Sequence, residues 1–289
     1  MYSAMSIDPI RHLLVGLPES GKSTFLAALW HVVESSEIPG SLVLSEVHGI
    51  RDYLNTIRDS WLRCEKLERT RIGSEHEVRF KLTDAEGHVF RELILPDPSG
   101  EMFKFQWEIR RWSTDFDKLA ATSEAVMMFV HPRTVKPFVR LDSKIAKIAA
   151  ELEGGDAGTP SDVEPWTPDK SPTQVQLIEL LQFLMERSFI DRSLNLSLII
   201  SAWDLIRPAP KPSNWVQQQL PLLYQFLMTN SHRLNTLCYG VSAQGGDYSS
   251  TAALQSHNNQ SERIMVVDDD GNTSHDITIP LKRNMGQRG

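Results

Sequence analysis

Two periodicities of apolar residues succeed one another along the chain. Ile10 to Val15 is a short, unbroken apolar run, the length of a buried strand. Over residues 24–35 the apolar side chains fall at Phe25, Leu26, Leu29, Val32 and Val33, the spacing of a helix, which Ile38-Pro39-Gly40 ends. Residues 48–64 carry a second helical face: Ile50, Tyr53, Leu54, Ile57, Trp61 and Leu62. Residues 77–84 alternate as a half-buried strand, 85–88 turn, and 89–97 return as an antiparallel partner. The aromatic-rich stretch 100–112 predicts a helix, and Ala125–Val130 a buried strand stopped by His131-Pro132. Residues 134–190 read as two helices around a Gly-, Pro-, Ser- and Asp-rich centre, 153–172. Beyond it come a buried strand over 194–201, a helix over 215–228 and a strand over 237–243. A hairpin then turns at Asp270-Gly271-Asn272, and the residues from Lys282 onward read as a frayed end.

Strands alternating with helices imply an α/β fold. The expected form is a three-layer sandwich with a mostly parallel sheet and one antiparallel edge strand. We expect a single domain over 8–289. It would carry a helical insertion at about 38–75, an insertion at about 134–190 and a C-terminal hairpin at about 262–281. In such sheets ligands sit beyond the carboxyl ends of the strands, so the residues there matter most.

Composition narrows the picture only modestly. A 40% hydrophobic and 23% charged chain of 289 residues has ample material for a core. The net charge of -7, with no long basic run, disfavours a direct nucleic-acid partner. Cys64 and Cys238 make neither a disulfide framework nor a zinc site. There is no apolar stretch of the roughly 20 residues a bilayer crossing needs, and no leader pattern, so a cytoplasmic location without membrane attachment is expected.

Chemistry gathers at four strand ends. The first is Gly16-Leu-Pro-Glu19-Ser20-Gly21-Lys22-Ser23-Thr24, which fits the phosphate-loop pattern G-x-x-x-x-G-K-[ST] between a strand and a helix. Its glycines let several backbone N–H groups point inward, and the helix N-terminus adds its positive dipole end. Lys22 suits the β- and γ-phosphates, and the Ser23 hydroxyl suits Mg²⁺. The second is Asp97-Pro-Ser-Gly100, where the carboxylate could hold Mg²⁺ through water and the Gly100 N–H could meet a γ-phosphate. The third is Ser201-Ala202-Trp203-Asp204. A carboxylate there accepts from the ring N–H and exocyclic amine of guanine, whereas adenine would leave it unpaired; the alternative is that Asp204 caps the following turn. The fourth is Ser242-Ala243-Gln244, whose backbone could reach the guanine oxygen.

In this order the four pieces resemble the phosphate-loop GTPases of the translation-factor and Ras-like (TRAFAC) class. GLPESGKSTFLAALW, WLRCEKLERT, PDPSGEMF, SAWD and VSAQGG resemble, more narrowly, the bacterial double-GTPase family, over about Ile10 to Gly246. The sequence departs from the class at Ala202, where a lysine is usual, and at Gln244, likewise. The resemblance implies a Mg²⁺-dependent GTPase hydrolysing GTP to GDP, a Ras-like core with helical insertions, and a switch role in multi-gene conflict or defence systems. It also implies companion proteins, a second GTPase among the candidates. Thr70 matches the family's Arg-Thr pair and would close on Mg²⁺ and the γ-phosphate, with Thr56 its competitor inside a helix. Arg69 and Arg71 are either transition-state cations or solvated surface charges. Glu101 stands where a water-orienting Gln is common; it either positions water or caps the next helix. Catalysis would then fall to Lys22, Glu101 and Thr70, and metal binding to Ser23, Asp97 and Thr70. An ATPase on the same loop, or a scaffold without turnover, remains open.

Other residues have plainer readings. His131 reads as hydrogen-bonded structure, and Trp30, Trp61, Trp107 and Trp112 as packing. The run 268–272 reads as a hairpin turn rather than a calcium loop. The amphipathic stretch 173–188 either packs on the sheet or faces a partner.

Overall fold

The computed structural model describes residues 9–48, 51–67, 78–87, 90–96, 101–137, 167–248, 254–257 and 259–282. Among the described residues nine strands form one sheet: β1 Ile10–Gly16, β2 Val43–His48, β3 Val78–Thr83, β4 Phe90–Leu95, β5 Ala125–Val130, β6 Leu194–Ser201, β7 Leu234–Ser242, β8 Met265–Asp268 and β9 Thr273–Ser274. Their spatial order is β2-β3-β4-β1-β5-β6-β7-β8-β9.

The expectation of a mostly parallel sheet with one antiparallel edge strand is corrected here. The centre, β4-β1-β5-β6-β7, is parallel throughout. Both flanks are antiparallel: β2 on β3 and β3 on β4 at one side, β8 on β7 and β9 on β8 at the other. The reason is local. Residues 43–48 form a strand that pairs with β3, with a shift in register between Leu44 and Glu46, and extend the β3–β4 hairpin by one strand. The C-terminal hairpin joins the main sheet through β8, which pairs with β7.

Among the described residues the longer helices on the two faces are α1 Lys22–Ser35, α2 Arg51–Leu62, α3 Glu101–Ile109, α4 Thr114–Ala121, α5 Thr173–Phe183, α6 Pro212–Gln219 and α7 Pro221–Thr229. Strand alternation divides the core accordingly. Leu14, Met127 and Phe129 join the α1 and α2 side, with Trp30, Trp61 and Phe80. Leu13, Val15, Met128 and Val130 join the α3–α7 side, with Phe116, Leu181 and Trp215. The single helix expected over 215–228 is two, because Pro221 has no N–H to continue α6 and instead opens α7. Helix α4 went unrecognised in the sequence; the Ser113 side chain caps it by accepting from the Phe116 N–H.

Among the described residues no helix is long and apolar enough to cross a membrane. Thr70, Asp97, Gly100, Arg69 and Arg71 lie outside the described residues. So do 138–166 of the expected insertion and the end, 283–289.

Candidate functional site

The carboxyl ends of β1, β5, β6 and β7 stand side by side in the sheet, and the loops that leave them enclose one cavity. Residues 17–21 link β1 to α1, and Gly21, the residue before the helix, is left-handed with φ 95°. A Cβ at Gly21 would lie 2.6 Å from the Ser201 side chain, so the site requires glycine both for conformation and for space. Lys22 curls back over the loop. Its Nζ donates to the Gly16 carbonyl at 2.8 Å, the Leu17 carbonyl at 3.0 Å and Ser20 Oγ at 3.3 Å. The loop thus positions a buried cation at its own centre, above the N-terminus of a 14-residue helix. Ser23 and Thr24 are the next residues of that helix, and Glu19, also left-handed at φ 61°, shapes the loop's apex. This donor set suits a polyphosphate.

The tips of β5 and β6 fasten the loop. Ser201 Oγ lies 2.8 Å from the Ser20 carbonyl and 3.2 Å from that of Val130, tying the phosphate loop to both neighbouring strands. Ser201 was not singled out from the sequence as a site residue. Its signal was its place, the first slot of the tetrapeptide that ends in Asp204.

Ala202 follows, left-handed at φ 47°, a conformation costly for alanine. That kink turns the chain into the short turn Trp203–Leu205 and sets Asp204 on the cavity wall. The Asp204 carboxylate accepts a hydrogen bond from Ser242 Oγ, and that hydroxyl accepts from the Gly245 N–H at 3.1 Å. One carboxylate oxygen is thereby anchored to the loop after β7. Ala243 and Gln244 continue that loop and line the same cavity.

The cavity measures about 150 Å³, and Gly21, Thr24, Ser201, Asp204, Ala243 and Gln244 are among the residues that line it. The structure therefore brings the phosphate loop, Asp204 and the 242–244 loop to one place. Glu101 begins α3. Sequence reasoning missed Tyr248, which shares a side-chain hydrogen bond with Thr24 at the cavity's edge. Burial pushes its phenol up, and the Thr24 bond acts against that. His131 lies on the β5 side, its Nδ1 accepting from the Arg133 N–H. Burial, and next the Arg133 charge, hold its imidazole below the usual range, against the pull of Asp204 and Glu19. His131 is accordingly a neutral structural acceptor at neutral pH.

The Double-GTPase 1 family matches residues 13–284. The chain belongs to that family. Among proteins of curated function, none matches it. Solved structures resemble this Double-GTPase 1 chain only distantly. The signal recognition particle receptor SRβ–GTP/SRX complex from Chaetomium thermophilum has 13% identity and a TM-score of 0.37, covering 82% of this chain and 92% of its own. The Arl6 BBS3 small GTPase from Trypanosoma brucei, with bound nucleotide analogue GppNp, has 11% identity and a TM-score of 0.32, covering 86% and 95%. The bacterial selenocysteine-specific elongation factor EF-Sec has 10% identity and a TM-score of 0.38, covering 88% of this chain but only 30% of its own length.

Proposed function

We propose that this Double-GTPase 1 chain is a guanine-nucleotide switch that binds GTP with Mg²⁺ and hydrolyses it to GDP. The observation carrying this reading is a cavity lined both by Gly21 and Thr24 of the phosphate loop and by the anchored Asp204 carboxylate. Two linings of different chemistry suit a ligand that carries both a polyanion and adjacent N–H donors. Guanine offers such donors, and adenine does not. Ser23, Asp97 and Thr70 would hold the metal, which supplies charge neutralisation on the phosphates. Lys22 would bind the β- and γ-phosphates, and Glu101 would orient water. In the cell the nucleotide state would be read by companion proteins of a multi-component defence system, which the family membership supports as a setting.

Ala202 favours a second reading, an ATPase, since no lysine stem is available there to pack on guanine. The test is an equilibrium titration of fluorescent GDP and ADP, with and without Mg²⁺, on wild type and Asp204→Ala. The guanine reading expects GDP to bind at least tenfold tighter, about 1.4 kcal/mol, and the variant to lose that preference. Equal binding of ADP to wild type would hand the site to the ATPase reading. Phosphate release from GTP, measured on the same protein and on Lys22→Ala, separates a switch that turns over from a scaffold that does not.

A further inference from the structure

Two contacts between protein groups tie the loop after β7 to other walls of the cavity that Asp204 lines. Tyr248 shares a side-chain hydrogen bond with Thr24 of α1. The Asp247 carboxylate lies 3.9 Å from the guanidinium of Arg133, in the turn after β5. All four residues line the cavity. In the sheet, β6, which leads to Asp204, lies between β5 and β7, and β1, which leads to α1, lies beyond β5. The Asp247 contact therefore straddles the end of β6, and the Tyr248 contact reaches the helix that follows β1. The root of the loop is fixed, because Ser242 holds Asp204 and accepts from the Gly245 N–H at 3.1 Å. Gly245, left-handed at φ 88°, and Gly246 separate that root from the two tethered residues. Glycines absorb torsional change at the least cost, so they suit a hinge. The two tethers differ in kind. Burial pushes the Tyr248 phenol up, so it holds Thr24 as a neutral hydroxyl. The Arg133 and Asp247 side chains are 67% and 51% exposed, and salt screens their attraction.

We infer that residues 245–248 form a strap over the nucleotide cavity, latched by Tyr248 on Thr24 and by Asp247 on Arg133, and that these latches set how fast a nucleotide enters and leaves. This rests on the reading of the cavity as a guanine-nucleotide site and adds to it a control on exchange. Both latches join one protein group to another, so they oppose opening to the same extent in the free and the loaded protein. Loosening them speeds entry and exit by one common factor and leaves affinity where it was. A side chain that held the nucleotide itself would behave otherwise: its loss would raise the dissociation rate alone and weaken binding in proportion. The strap thus lengthens the lifetime of a bound nucleotide without a contact to the base or the phosphates.

The test is stopped-flow association and dissociation of fluorescent GDP on wild type, Tyr248→Phe and Asp247→Asn. Tyr248→Phe keeps the ring and deletes only the hydroxyl. It is expected to raise both rate constants about three- to tenfold, the range of one hydrogen bond, with Kd unchanged. Asp247→Asn should raise both about two- to fivefold at low salt, the range of an exposed ion pair. That excess over wild type should vanish at about 1 M salt, where the Debye length is about 3 Å. The excess in Tyr248→Phe should not depend on salt. Unchanged rates in both variants would overturn the strap, and unchanged rates in one would remove that latch. A faster dissociation alone, with a matching loss of affinity, would also overturn it, by making the residue a ligand contact. Fluorescent ADP separates the two levels. Equal affinity for ADP removes the guanine reading, while the latches still stand or fall by the rates of the two variants. A wild type that binds neither nucleotide removes both.

Discussion

At the scale of single residues, the site depends on close backbone approaches as much as on charges. Trp203, 1% exposed, lies flat against β7, where a Cβ on Gly240 would come within 2.2 Å of its indole. Gly240 sits at φ < 0, so the constraint there is space and not conformation. Because Trp203 adjoins Asp204, pushing the indole away displaces the carboxylate that Ser242 holds. Gly240→Ala should therefore lower stability by about 1–3 kcal/mol, the usual cost of overpacking. It should also narrow the preference for GDP over ADP while leaving the phosphate loop intact. Urea unfolding and the paired nucleotide titration would measure both, and an unchanged preference would show that Trp203 does not position Asp204. Legibility at this scale was uneven. Gly21, Lys22 and Asp204 are readable because their chemistry depends on residue type and spacing. Ser201, Tyr248 and Gly240 act through neighbours distant in sequence, and no local pattern announces such contacts.

At the scale of elements, the helices were legible where their apolar spacing was long, as in α1, and not where a strand was short. Six residues at 43–48 between two helical patterns do not outweigh those patterns, so β2 emerged only from its pairing with β3. Helix α2 shows what that extra segment contributes. Trp61, fully buried, donates its indole N–H to the Ala243 carbonyl, bracing the loop after β7. The Arg263 guanidinium stacks 3.8 Å from the Trp61 ring, and it donates to the Trp61 carbonyl. A helix read as an insertion from sequence thus supports the wall that carries Gln244. Trp61→Phe keeps an aromatic ring but deletes the indole donor. We expect a loss of about 1–3 kcal/mol in stability from the unpaired Ala243 carbonyl, together with weaker GDP binding. Chemical denaturation and titration would check this. Full stability with full affinity would mean that α2 does not brace the base-side loop.

At the scale of the whole molecule, the parallel centre of the sheet contains an ionisable group that couples global stability to pH. His12 lies in β1, in register with Leu93 of β4 and Ala125 of β5. It is 3% exposed, and among the described residues both ring nitrogens lack hydrogen-bond partners. Burial first, and the Arg91 charge second, lower its pKa from 6.5 to about 3. Arg91 itself donates to the short helix Ile279–Lys282, to the Leu281 carbonyl at 2.7 Å and the Lys282 carbonyl at 3.3 Å. The folded protein therefore keeps His12 neutral where the unfolded chain would protonate it. Above the unfolded value, 6.5, both states are neutral and the group contributes no pH dependence. Below it, the unfolded state binds a proton that the folded state refuses, and stability falls by up to about 1.4 kcal/mol per pH unit. The loss continues down toward the folded value of about 3. Replacing His12 with leucine removes that proton-binding difference while keeping an apolar side chain in the core. Urea unfolding of wild type and His12→Leu between pH 7.5 and 4.5 should give curves that hold a constant offset above pH 6.5. Below that pH the stability of His12→Leu relative to wild type should rise by up to about 1.4 kcal/mol per pH unit, as wild type loses stability more steeply. The paired carboxylates titrate in both proteins and cancel in the difference. Parallel curves across the whole range would show that His12 is protonated in the folded sheet.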